Sequence, residues 1–219
     1  MDQTLKEEEK TKSEVGGLIS RDRVVTFADS VFAFAATLLV LKIELPQVSA
    51  GVLSANYLSL FSSLWPQYLA NIISFLAIGY YWLNHHAIFG QLKKFNSTIV
   101  WMNLFFLIFV SFLPFPVDLY GDYPSVGPVV AFYCASLALV GFMLCFIWWY
   151  ASSNHRLITS DLSRKTVNFY TARNLVAPIV FVLSIPLVLI HPGLTQASWV
   201  LIIVGTVLIN KYFHQKSIG

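Results

Sequence analysis

The sequence predicts an all-α membrane protein, and three observations predict it. Of the 219 residues, 57% are hydrophobic and only 11% charged, and the mean hydropathy is +0.68; this composition excludes an ordinary water-soluble domain. The apolar residues gather into six long stretches, each near the ~20 residues that carry a helix across the hydrocarbon layer. The basic residues fall almost wholly on one side of the topology that six crossings would give.

The chain opens with a polar tail, residues 1–22, that includes Lys6, Glu7, Glu8, Glu9, Lys10 and Lys12. It is too charged for a signal-peptide apolar core, so the first membrane helix is expected to direct insertion. With no aromatic residue before Phe27, the tail cannot bury enough surface to fold alone and is expected to be mobile. A membrane domain over residues 23–213 follows, with apolar stretches at 24–45, 64–89, 99–117, 129–150, 169–190 and 197–213. Residues 214–219 form a short C-terminal tail. Pro46, Pro114, Pro116, Pro128 and Pro192 fall at or near segment ends, where a missing backbone donor costs least. Pro178 and Pro186 lie inside the fifth stretch and are expected to kink it.

Loops rich in Lys and Arg stay in the cytoplasm. Lys6, Lys10, Lys12, Arg21 and Arg23 precede the first span, Lys93 and Lys94 follow the second, and Arg156, Arg164, Lys165 and Arg173 follow the fourth. Lys211 and Lys216 close the chain, so 13 of the 14 basic residues, all but Lys42, agree with six transmembrane helices and both termini cytoplasmic. The loop with Asp118 and Asp122 carries no basic residue and is expected outside. Trp82, Trp101, Trp148, Trp149 and Tyr170 lie towards the inner ends and Trp65 and Trp199 towards the outer ones, as interfacial anchors do. Cys134 and Cys145 share one segment but sit roughly 16 Å apart along a helix, too far to pair within a subunit.

The start of the first span carries the functional signal. Asp29 lies about one and a half to two turns inside a membrane segment, where an ionisable group is expensive and normally pairs with another helix or faces water. At 100° per residue, Arg23, Phe27, Ser30, Phe34, Leu38 and Leu41 share one stripe, with Thr37 beside it, while Asp29, Ala33, Ala36 and Val40 share another. The second stripe is small, which suits close approach of a protein partner; the first suits either a pore wall or ordinary packing.

Arg23, Phe27 and Asp29 also fit a signature of Arg, three residues, then Phe-Ser-Asp, with Ala28 in place of the Ser. Thr37 follows two turns after the Asp; Trp82, Asn84, His85, His86 and Phe89 come late in the second stretch, and Asn103, Leu113, Pro114 and Phe115 lie in the third. In these features the sequence resembles the transmembrane protein 175 family of lysosomal potassium channels and their single-repeat bacterial relatives. The resemblance covers roughly residues 23 to 116. It implies six helices per subunit in a homotetramer, with the first helix of each subunit lining a central pore. It also implies a passive channel, selective for potassium or weakly selective among cations, in the cell membrane. Phe34, Leu38 and Leu41 match the family's apolar constriction and Thr37 a threonine implicated in ion coordination. Phe34 stands where the family commonly has Ile. Arg23, Phe27, Asp29, Trp82 and His86 match a structural polar network that holds the first helix.

Potassium is expected as the permeant ion, with no cofactor, no metal centre and no nucleic-acid partner; the partners are further copies of the chain and membrane lipids. Adjacent His85 and His86 point about 100° apart on a helix and do not chelate one ion together. The competing reading is a secondary, proton-coupled transporter with Asp29 and a His as relay. An intramembrane enzyme would need an activated nucleophile or metal site, and the GxSxG, HExxH and P-loop patterns are missing.

Overall fold

Cap residues and prolines set where the helices begin. The structure, a computed structural model, describes residues 20–41, 43, 58, 59, 62 and 64–215. Helix α1 (Arg21–Val40) starts at Ser20, whose side chain accepts from the Arg23 amide. Helix α2 (Trp65–Gln91) has a proline in its first turn, where the missing N–H is one of the unpaired donors in any case. Asn96 caps α3 (Ser97–Phe112) by accepting from Ile99 N at 3.0 Å. Helices α4 (Pro114–Asp122) and α5 (Gly127–Ser152) again begin on prolines. Ser163 caps α6 (Arg164–Ser184), which passes into a 3-10 turn at Ile185–Leu189. Helices α7 (Pro192–Ser198) and α8 (Val200–Gln215) complete the described chain.

Among the described residues, five helical stretches are long and apolar enough to cross a membrane: Arg21–Val40, Ser97–Asp122, Gly127–His155, Arg164–Leu189 and Pro192–Phe213. Helix α2 matches them in length with 27 residues, but Gln67, Asn71, Asn84, His85, His86 and Gln91 dilute its hydropathy. Three details differ from the sequence expectations. The third stretch breaks at Leu113, and Pro114 opens a new helix rather than closing the old one. Helix α6 runs through Pro178 and gives way just ahead of Pro186. Arg173 lies nine residues past the start of α6 and is half-buried, so it is part of the bundle rather than of a loop. The tail over residues 1–19, the end of the first apolar stretch at Lys42, Leu45 and Pro46, and residues 216–219 lie outside the described residues.

Helix α5 forms the centre, burying Tyr133, Leu137, Leu144 and Trp148. Its closest partner is α6: Pro178 packs on Gly141, where a Cβ would come within 2.9 Å of the proline ring, and Trp148 Nε1 donates to Thr171 Oγ1 at 2.9 Å. Neither a proline ring nor two helix backbones can shift cheaply. Gly141→Ala is therefore expected to destabilise the bundle by about 1–3 kcal/mol, read as a lowered thermal midpoint of the purified protein. From α2, the Tyr81 hydroxyl donates to Leu137 O (2.8 Å) and that of Tyr80 to Arg173 O (2.9 Å), tying α2 to α5 and α6. Helix α1 packs on α2, α3 and α4, while α8 packs chiefly on α6, so α1 and α8 lie on different flanks of the bundle.

Candidate functional site

The rows of α1 separate by burial. Val24, Ala28, Phe32, Ala35 and Leu39 are buried, a spacing of three and four that turns one face to the subunit's own core. Ala28 and Ala35 are almost wholly covered and let the neighbouring helices approach closely. Phe32 reaches between α2 and α3, 5.7 Å from the His85 ring and 5.8 Å from Phe106 between centroids.

The other side of α1 is uncovered. Phe27 is 52% exposed, Phe34 63% and Leu41 74%; Arg23, Ser30 and Thr37 are exposed with them, and Leu38 is half-buried. The hydroxyls are satisfied within the helix, Ser30 Oγ donating to Thr26 O and Thr37 Oγ1 to Phe34 O, each at 2.9 Å. Their hydrogens are used on the backbone, so the oxygens keep lone pairs free on the open side.

Asp29 sits at the edge between these faces. Its Oδ1 accepts from Trp82 Nε1 at 2.8 Å, and the His86 ring lies 6.1 Å from that of Trp82. Among the described residues no ion pair joins Arg23 to Asp29; six positions apart on one helix, they point in directions about 120° apart. Beyond Asp29 the small stripe opens into a groove of about 660 Å³ between α1 and α2, lined by Ala33, Ala36, Leu76, Gly79 and Leu83. Of the expected network, Asp29, Trp82 and His86 thus lie together, while Arg23 and Phe27 belong to the uncovered face.

The buried polar pair that the sequence reading did not assemble is His85 with Asn103. His85 Nε2 and Asn103 Oδ1 lie 2.8 Å apart, with both residues buried. With the amide oxygen as acceptor, Nε2 carries the hydrogen, and the buried Nδ1 has no partner. The imidazole stacks on Phe89 at 4.1 Å and on Phe106 at 5.5 Å. Helical spacing carried a signal for it: His85 shares a face with Ile78, Tyr81 and Phe89, all buried, whereas His86 shares one with the exposed Trp82 and Leu83.

Among the described residues no group of three or more His, Cys, Asp or Glu could hold a metal ion. The two cysteines are free.

Comparison with known proteins gives a consistent picture. The family model described as endosomal/lysosomal potassium channel TMEM175 matches residues 23–114, which hold all but the first two residues of α1, the whole of α2 and α3, and the first residue of α4. A potassium channel of Chamaesiphon minutus is 32% identical over 168 residues, 75% of this chain and 82% of the relative. A potassium channel of Streptomyces collinus is 29% identical, covering 80% of this chain and 86% of its own. The crystal structure of a lysosomal potassium-selective channel TMEM175 homolog from Chamaesiphon minutus superposes with a TM-score of 0.71 at 28% identity, over 91% of this chain and 98% of that one.

Proposed function

The chain belongs to the TMEM175 family, and from that premise we propose that it is a passive potassium channel whose pore is lined by α1 of each of four subunits. The observation that carries this reading is the character of α1's uncovered face. The exposed face of α8 is apolar throughout its middle, with Val200, Leu201, Ile203, Val204, Val207 and Leu208, as a lipid-facing helix should be. That of α1 intersperses Arg23, Ser30 and Thr37 among Phe27, Phe34 and Leu41. A charge on lipid is costly, and the lone pairs that Ser30 and Thr37 keep free find partners only in water or a cation; a water-filled axis supplies both.

Fourfold symmetry supplies that axis, since four copies of one amphipathic helix enclose a channel that a single filled bundle cannot. In this arrangement Phe34, Leu38 and Leu41 form the apolar constriction, and rings of such side chains stop ions by excluding water. Thr37, between Phe34 and Leu41, offers its oxygen to a passing cation. Asp29, bonded to Trp82, and the groove beside Ala33 and Ala36 then face the neighbouring subunit, where small residues admit close packing. The chain crosses six times with both termini cytoplasmic, as its basic residues favour, in the cell membrane. Residues 1–22 and 214–219 are cytoplasmic tails to the channel domain.

The test is flux from liposomes holding the purified protein under an outward potassium gradient, with sodium substituted in parallel and the proton gradient collapsed. Sustained potassium flux exceeding that of sodium supports the channel. Flux that appears only with a proton gradient and saturates at low turnover would establish the transporter instead.

A further inference from the structure

At the end of the bundle where α6 begins and α8 finishes, a groove of about 730 Å³ opens between the two helices. Lys165 of α6 and Lys211 of α8 both line it, with Ser163, Thr166 and Asn210 beside them. Among the described residues, no Asp or Glu lines the groove, and neither lysine has a hydrogen bond or ion pair. Asp161, in the preceding turn, is exposed and accepts from Ser160 Oγ at 3.4 Å. Two lysines without a described acidic partner therefore line one concavity.

The walls are as informative as the charges. Phe169 and Phe213, both lining the groove, meet edge to face with 5.5 Å between centroids. On the α8 side the surface continues along the helix into exposed Leu208, Val207 and Val204. Helix α8 leans on α6 alone among its close partners, with Gly205 so near Val176 that a Cβ would approach to 2.9 Å, and its outer face is left to lipid. A groove lined by two lysines, on a helix whose exposed residues further along are apolar, matches an anionic headgroup above acyl chains.

We propose that the groove between α6 and α8 binds a phospholipid with an anionic headgroup, its phosphate held between Lys165 and Lys211. Basic pockets between membrane helices on the cytoplasmic side hold such headgroups. The leaflet follows from the orientation given above, but binding itself does not depend on it, nor on conduction.

The experiment is native mass spectrometry of the protein released from nanodiscs of equal parts phosphatidylglycerol and phosphatidylcholine, which present both lipids at both faces. Retained phosphatidylglycerol should exceed phosphatidylcholine, and Lys165→Gln with Lys211→Gln should weaken its retention about thirtyfold, roughly fivefold for each lysine. Lys211→Gln alone, on an exposed position, should show the fivefold loss without touching the packing. Lys93→Gln with Lys94→Gln, elsewhere on the bundle, should leave retention unchanged. Equal retention by wild type and double variant, or of the two lipids, would overturn the proposal. Displacement of the lipid by millimolar inorganic phosphate would overturn it too, by making a free anion the ligand.

Discussion

In the proposed four-subunit channel, Leu41→Lys is expected to cut potassium flux roughly a hundredfold while leaving assembly unchanged. Leu41 follows the last residue of α1 and is 74% exposed in the subunit, so a lysine there meets water rather than a packed core. Four copies would place four ammonium groups around the exit, each about 6 Å from an ion on the axis. Even at the dielectric of bulk water each charge raises the ion's energy by about 0.7 kcal/mol, and four by about 3 kcal/mol, which is the hundredfold. Less hydrated surroundings only enlarge the effect. Leu41→Glu has the same reach and opposite sign, and should not reduce flux. Equal inhibition by both charges would place Leu41 off the ion path.

The second large effect is on stability. Asn103→Leu removes the acceptor for His85 Nε2 in a site with almost no solvent access, and a buried donor left unpaired costs about 1–3 kcal/mol. Adding His85→Phe to Asn103→Leu should recover most of that loss. The new ring can occupy the slot between Phe89 and Phe106, and the change also removes Nδ1, which has no partner in the native structure. Thermal midpoints of wild type, both single variants and the double form the cycle. Additive losses would mean that the polar pair is not the unit that holds α1, α2 and α3 together.

Helices were legible because membrane spans are written in length and composition, which survive any ignorance of contacts. Their breaks were harder. Hydropathy marks where a helix enters the apolar region and not where its backbone begins, so α6 starts at Arg164, five residues ahead of the apolar stretch at 169. Ser163, whose side chain accepts from the Thr166 amide at 3.2 Å, is an N-cap residue that hydropathy passes over. Pro114 lies near the end of an apolar stretch, yet a proline is equally suited to the first turn of a new helix, and here it opens α4.

Within the site, helical arithmetic separated the stripe of Phe27, Phe34 and Leu41 from that of Asp29, Ala33 and Ala36. It left unassigned the face that proves to be buried, Val24, Ala28, Phe32, Ala35 and Leu39. All three faces are largely apolar, and amphipathicity cannot rank apolar surfaces by what covers them. Composition does not separate the adjacent His85 and His86; helical spacing does, because His85 shares its face with Ile78, Tyr81 and Phe89, all buried, and the acceptor on α3 completes the distinction.

The central claim is that the uncovered stripe of α1 faces an ion path. It is tested most directly by placing single cysteines along α1 and measuring potassium conductance before and after a water-soluble, positively charged thiol reagent. The wild-type protein, with Cys134 buried and Cys145 half-buried on α5, serves as the background. Modification should block conduction at Phe34→Cys, Thr37→Cys and Leu41→Cys and leave it unchanged at Val24→Cys, Ala35→Cys and Leu39→Cys, giving a pattern with the helical period. Block at the second set, or none at the first, would contradict a pore lined by this face.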